Sequence, residues 1–499
     1  MTDLLDGVVA VLVAATLNAV VVAGILLTAR VSEKAFLTRV YLSTLLLRTL
    51  MALALNASVG TSGFAAAFWG DSGTYDAEGD LLARRWHGEN TSTVLTHAVS
   101  GYGFVYYVAA FYYVFGRNQL LLQLLNATIG SVTVLVVYAI GHRLFGQAVA
   151  RWAALFMAFF PQMLFWSAGM YKDPSVLLCI AVAMYAVLRL RESFSPGMAV
   201  LLGVAALGLL TLRFYIFYFV ALAALAAFVF GMRGRLGPRL LSYGLVTVAL
   251  VGAFSVAVKK ETLDVQSAYM TLEQMQVTRV DQAMWGKSAY GAGYDVSTPA
   301  GALQALPVGL VYLLFAPFPW AISGVRQLLT LPETLVWYAL MPAFARGLVY
   351  SVRRRLRDVL PILVFAVTLT IAYALMQGNV GTAYRQRTQV TMFFFVFMAV
   401  GIVQRSRQMT AQPFEPVLAT GNAGAANAPT GKVAIVDHDF VCDEPIGVAK
   451  RGSRANAKVD EAALPQRTTA KARESDGAGE KRSGGKGEAM GLGRRERPS

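Results

Sequence analysis

The sequence predicts an all-α polytopic membrane protein with about eleven transmembrane helices, and three observations carry that prediction. Of its 499 residues, 56% are hydrophobic and only 15% charged, with a mean hydropathy of +0.52, whereas soluble domains hold roughly 45–50% apolar and about 25% charged residues. Apolar runs long enough to cross a bilayer recur through about the first four hundred residues. Arginine and lysine gather in the short stretches between those runs, the pattern that fixes orientation in a membrane. Together these features exclude a soluble enzyme of this size.

The first span, Gly7–Ala29, follows an acidic start with Asp3 and Asp6 and precedes the basic stretch Arg30, Lys34 and Arg39. The N-terminus is therefore expected outside, and the run is too long, and too poor in small residues at its end, for a cleaved signal peptide. A second span falls within Val40–Ala66, with Arg48 near its cytoplasmic part and able to snorkel. Phe68–Asn90 is polar, acidic and aromatic, and parity places it outside. Ser100–Phe115 is aromatic but short for a crossing, which predicts an interfacial or re-entrant helix in a first external loop over residues 61–118.

Further spans are expected at Leu120–Ile140, Val149–Phe165, Pro174–Leu190, Met198–Leu212, Tyr215–Phe230 and Leu240–Val258, with the basic connectors falling alternately on one side. A long polar external loop then covers residues 259–300. Pro307, Pro317 and Pro319 interrupt Ala302–Ile322, and a full crossing there would put Arg353–Arg357 on the wrong side. That segment is expected as a broken or re-entrant element. Spans at Leu335–Tyr350, Val359–Leu375 and Val390–Val403 close a membrane domain over residues 1–407. Residues 408–499 are rich in Ala, Gly, Arg, Lys and Glu, and their last part is nearly free of aromatic and branched apolar residues, so a disordered cytoplasmic tail is expected.

The net charge of +15 is mostly topological by its placement, and nucleic acid is not expected as a partner. Cys179 lies in an apolar run and Cys442 in the polar tail, while His87, His97, His142 and His438 are scattered. No cofactor or metal site built on His and Cys is expected, although a carboxylate-bound divalent cation stays compatible.

The chemistry is expected on the outer face. Asp71 and Asp76 lie in the first external loop, Lys172 and Asp173 precede Pro174, Arg213 separates two spans, and Arg385 and Arg387 fall in another external stretch. The positive-inside pattern does not account for these four cations. Cations at the interface suit the phosphate of a lipid carrier, and a carboxylate beside them suits removal of a proton from an acceptor hydroxyl. No segment outside the membrane is long enough to bind a nucleotide sugar, so a sugar donor would arrive in the membrane.

A resemblance then sharpens this reading. Gly70-Asp71-Ser72-Gly73-Thr74-Tyr75, with Leu82-Ala83, Trp86 and Gly88 beyond it, is similar to the first external loop of polytopic GT-C glycosyltransferases of the protein O-mannosyltransferase and aminoarabinose-transferase-like group. Phe115-Gly116, Leu144-Phe145-Gly146, Phe160-Pro161 and Lys172-Asp173-Pro174 extend the likeness in order. It implies a GT-C-like fold and an inverting transfer from a polyprenyl-phosphate-linked sugar to a glycan, lipid or protein acceptor, at the outer face of a plasma membrane. Residue by residue it implies Asp71 as catalytic base and Asp173 as a second catalytic carboxylate. Lys172, Arg213 and Arg385 would bind lipid phosphate, with Tyr75 and Asp76 as further substrate-binding candidates. The family often has Asp-Glu where this chain has Asp71-Ser72.

Plainer readings stand beside these. Asp71, Asp76 and Asp173 all suit the first turn of a helix, and the cations suit headgroup anchoring. A flippase or transporter of lipid-linked glycans, a polysaccharide polymerase or ligase, and a scaffold acting through the tail are the competing functions.

Overall fold

The computed structural model describes residues 2–57, 70–90, 101–193, 195–230, 266–285, 288–322 and 324–410. Among them every regular element is a helix, apart from one isolated antiparallel bridge between Ala289 and Asn379. The chain divides into two units, residues 1–416 and 417–499; the second lies outside the described residues, as do the predicted span Leu240–Val258 and almost all of the predicted tail.

Helix α1 (Thr2–Thr28) matches the first predicted span, and α2 (Val31–Ala57) overlaps the second but starts ahead of it, so that Lys34 and Arg39 lie on the helix and not in a connector. The first external loop holds α3 (Gly70–Trp86) and α4 (Tyr102–Phe115). At 14 residues α4 would rise only about 21 Å, which agrees with the expectation of a non-crossing helix. Helix α5 (Gln119–Phe145) starts on Asn118, whose side chain accepts from Leu121 N at 3.0 Å. It buries residues all round its surface, as a helix at the centre of a bundle must.

The predicted span Val149–Phe165 is a bent pair, α6 (Gln147–Phe159) and α7 (Pro161–Ala168), angled by 53°. Pro161 takes the first position of α7, where its missing N–H costs nothing, and Phe160 before it is extended. Helices α8 (Asp173–Glu192) and α9 (Pro196–Phe230) follow, then α10 (Leu272–Trp285), α11 (Pro299–Phe315), α12 (Val325–Leu329), α13 (Leu331–Met376), α14 (Val380–Gln386) and α15 (Thr388–Thr410).

Seven described helices are long and apolar enough to cross a membrane, or eight with the bent pair. Two of the seven are interrupted: Arg213 in α9 (φ −157°, ψ 78°) and Arg355 in α13 (φ −138°, ψ 28°) leave helical geometry. Each break falls at the boundary between two spans predicted separately. Helix α8 shows why the chain turns there. Its 20 residues rise about 30 Å, the thickness of a hydrocarbon core. Asp173 at its start meets Arg213, and Arg191 at its far end meets Asp358 at 3.2 Å and the Arg357 carbonyl. The two kinks thus lie at opposite ends of one bilayer-length helix.

Two expectations need correction. Pro307 does not interrupt its segment but lies inside α11, which ends at Phe315 ahead of Pro317 and Pro319. Arg48 does not snorkel, for it is fully buried. Its Nε donates to Ser167 Oγ at 2.7 Å, and its other nitrogens reach the carbonyls of Ala158 (3.3 Å) and Met157 (3.4 Å) at the end of α6. Arg387 does the same for α11, donating to Leu314 O (3.2 Å) and Ala316 O (2.9 Å), and Arg279 for α13, donating to Leu375 O (3.3 Å) and Gln377 O (3.2 Å). The last carbonyls of an apolar helix have no intrahelical donor, and a guanidinium meets both that need and the negative end of the helix dipole.

Candidate active site

The site forms where four separate stretches of chain meet. Helix α3 brings Asp71 in its first turn, and Tyr75 one turn later on the same face. The loop between α7 and α8 brings Lys172, and α8 begins with Asp173. The kink of α9 brings Arg213, and α14 brings Arg385. The two carboxylates are joined through one guanidinium: Arg385 Nη1 donates to Asp71 Oδ2 at 2.7 Å, while Nε and Nη2 both donate to Asp173 Oδ2 at 2.9 and 2.6 Å. The other Asp173 oxygen accepts from Arg213 Nη2 at 3.3 Å.

Burial separates the two acids. The Asp173 side chain is 1% exposed and the Asp71 side chain 46%. Asp173 is therefore enclosed by its arginines, whereas Asp71 faces outward from the same cluster. Burial alone would raise the Asp71 carboxyl, but the Arg385 charge and hydrogen bond, helped by Lys172, hold it below the usual carboxylate range. Burial opposes the charge on Arg385, and Asp173 and Asp71 outweigh it, so this guanidinium is held more firmly protonated than usual.

Lys172 is the anomalous cation. Burial and the neighbouring Arg213 and Arg385 push its ammonium down to about 7, against the pull of Asp173 and Asp71. Its Nζ stands 5.9 Å from the centre of the Tyr75 ring. Gly101 has φ +104°, a backbone conformation that favours glycine, and a Cβ there would come within 2.6 Å of that Nζ, so the lysine end would have to shift. Burial, then Asp71, pushes the Tyr75 phenol up, which keeps it a neutral donor.

The site's framework is aromatic and polar. Trp166 and Tyr171 place their rings 4.8 and 5.0 Å from the Arg385 guanidinium carbon. Asn126 of α5, fully buried, donates to Gly169 O (2.8 Å) and Tyr171 O (2.9 Å) and so fixes the loop that presents Lys172 and Asp173. Gln162 donates to the Tyr384 carbonyl, and its backbone N–H donates to Glu333 at 2.7 Å, which ties the residue before Arg385 to the bend between α6 and α7.

Asp71, Tyr75, Lys172, Asp173, Arg213 and Arg385, all expected at the site from sequence, are brought together. Asp76 is not with them: it accepts from Tyr112 at 2.6 Å and from Arg117 Nε at 3.3 Å and is buried between α3 and α4. Sequence reasoning did not single out Asn126, Gln162 or Trp166. The available signal was weak, a lone amide inside an apolar run and an indole close to the MYKD stretch. Among the described residues no group of three or more His, Cys, Asp and Glu is arranged to hold a metal ion, and Arg385 stands between the two site carboxylates.

Over residues 100–258 the sequence matches the family model of dolichyl-phosphate-mannose-protein mannosyltransferases. The matched segment contains Asn126, Trp166, Lys172, Asp173 and Arg213, while Asp71 and Arg385 lie on either side of it. No curated protein matches the sequence.

Several solved structures are similar in part, AglB and ArnT among them. The archaeal oligosaccharyltransferase AglB from Archaeoglobus fulgidus, in complex with an inhibitory peptide and a dolichol-phosphate, shares 16% identity at a TM-score of 0.44, over 74% of this chain and 50% of its own. ArnT from Cupriavidus metallidurans, bound to undecaprenyl phosphate, shares 14% identity at a TM-score of 0.46, over 76% of this chain and 62% of its own. The chain thus spans about half the length of the archaeal enzyme it matches.

Proposed function

We propose that the chain is an inverting glycosyltransferase of the GT-C type, moving a sugar from a polyprenyl-phosphate carrier to an acceptor hydroxyl at the outer face of the plasma membrane. The observation that carries this reading is the convergence of one outward-facing carboxylate, Asp71, with Lys172, Arg213 and Arg385 around the enclosed Asp173. The family match, whose description names a dolichyl-phosphate sugar, supports the donor class.

Asp71, kept ionised by Arg385, takes the proton of the acceptor hydroxyl. The acceptor oxygen forms its bond to the anomeric carbon on the face opposite the phosphate, and the bond from that carbon to the phosphate oxygen breaks. A single displacement inverts the centre. The departing lipid phosphate gains negative charge, which the arginines and Lys172 stabilise by charge-assisted hydrogen bonds. Asp173 holds Arg213 and Arg385 in place for that task. On this reading the membrane domain, residues 1–407, carries the activity, with the tail on the cytoplasmic side.

Asp71→Asn keeps the side chain's size and removes the base. Purified protein in proteoliposomes, given labelled polyprenyl-phosphate monosaccharide without ATP, should label acceptor, and the variant should do so about two to four decades more slowly. Near-normal transfer by the variant would overturn the assignment of the base. Movement of the lipid without labelling would replace the transferase by a transporter.

A further inference from the structure

At the end of the bundle opposite Asp173, α13 and α15 enclose a cleft of about 450 Å³. The two helices cross closely just before it. A Cβ on Gly347 would collide with the Phe397 carbonyl, and one on Gly401 with the Ala343 carbonyl, so two glycines set this approach. Beyond the crossing, Val349 and Tyr350 line the cleft as its apolar wall.

Four arginines surround this wall: Arg346, Arg353 and Arg354 from α13 and Arg405 from α15. All four are exposed. Among the described residues, three carboxylates at this end of the bundle are matched elsewhere. Glu33 is paired with Arg151, Glu192 with Arg143, and Asp358 with Arg191 and Arg355. Topology signalling needs positive charge beyond the membrane edge, but Arg346 lies two helical turns, about 10 Å, inward of Arg353. A guanidinium at that depth is costly unless an anion reaches it. The cleft therefore combines an apolar wall suited to acyl chains, positive charge at two depths and no counter-ion among the described residues, which together fit a lipid whose headgroup is a phosphodiester.

We propose that this cleft binds an anionic glycerophospholipid, with Arg346, Arg353 and Arg405 around its phosphate and the acyl chains against Val349 and Tyr350. The site is separate from the Asp71 and Asp173 cluster, and its existence does not depend on the reaction performed there.

The test uses the full-length protein in nanodiscs of phosphatidylcholine doped with a photoactivatable phosphatidylglycerol. Label is expected on residues 345–354 and 404–405, and unlabelled phosphatidylglycerol should compete it away while phosphatidylcholine and inorganic phosphate do not. Label elsewhere only, or equal competition by phosphatidylcholine, overturns the proposal. Competition by polyprenyl phosphate with none by phosphatidylglycerol overturns it in favour of a second carrier site. Arg346→Gln with Arg353→Gln and Arg405→Gln should cut labelling about ten- to a hundredfold at unchanged transfer. Undiminished labelling of that variant overturns the assignment of residues. Should the variant not fold, the wild-type competition alone decides.

Discussion

Arg385 and Asp173, 212 residues apart in the chain, are joined by two hydrogen bonds to a single carboxylate oxygen, at 2.9 and 2.6 Å. The third arm of the same guanidinium holds Asp71 at 2.7 Å. A planar fork with five N–H groups serves both acids at once in a fixed geometry that the tetrahedral, three-donor ammonium does not reproduce. Asp173 thereby sets where Arg385 lies, and Arg385 sets where Asp71 points.

The first prediction follows from that geometry. Arg385→Lys keeps the charge and loses the bridge, so transfer should fall by about a hundredfold, the usual effect of misplacing a reacting group by an ångström. The variant should still reconstitute. Steady-state transfer in proteoliposomes measures this, and activity within a few-fold of wild type would show that charge alone suffices.

The two carboxylates should separate in stability. Asp173 is enclosed by Arg213 and Arg385, and Asp173→Asn leaves buried guanidinium charge uncompensated, at a cost of about 3–5 kcal/mol. Asp71 is nearly half exposed, and Asp71→Asn should shift stability by no more than about 0.5 kcal/mol. Unfolding of both variants in one detergent compares them, and equal losses would contradict the division of roles.

Lys172 gives a pH signature with a definite sign. Its ammonium is pushed from 10.5 to about 7, so the folded protein releases this proton more readily than the unfolded chain. Stability should therefore rise with pH between about 7 and 10.5, because the unfolded state binds more protons there. Donor binding should move the other way. Above about 7 the charge is lost and the KM for polyprenyl-phosphate sugar rises, whereas Lys172→Arg keeps its charge and should flatten that rise. A KM independent of pH in the wild type would remove Lys172 from donor binding.

The sequence and the structure agree best where hydrophobicity decides. The spans were legible because each needs about twenty apolar residues, and even the kinks at Arg213 and Arg355 fall between spans expected separately. Asp71, Lys172, Asp173, Arg213 and Arg385 were legible as polar groups at helix ends, and the resemblance gave them roles. Their pairing was not, since nothing local in a sequence joins residue 71 to 385. Asp76 lies apart from them because five residues along a helix turn it by about 140° from Asp71, toward Arg117. Arg48 was misread for a related reason. Periodicity locates an apolar helix, but the carbonyls that a buried cation serves belong to another one.

Arg48 supports the final prediction. It joins α2 to the break between α6 and α7 through Ser167 Oγ and the carbonyls of Met157 and Ala158. Helix α7 beyond that break carries Trp166, which lies against Arg385. Gly130 of α5 makes room for the arrangement: a Cβ there would lie 2.6 Å from Ser167 Cβ and 2.8 Å from Arg48 Nε. Gly130→Ala should therefore force these groups apart and cost about 1–3 kcal/mol, although alanine favours the helix intrinsically. Because the bend positions the site and does not touch substrate, kcat should fall more than KM changes. Combining Gly130→Ala with Ser167→Ala, which leaves the Ser167 Cβ but removes its Oγ, 3.0 Å from the new methyl and the partner of Arg48, should give a loss that departs from the sum of the single losses by at least about 0.5 kcal/mol. Strict additivity would show that Gly130 and Ser167 act independently of the Arg48 contact.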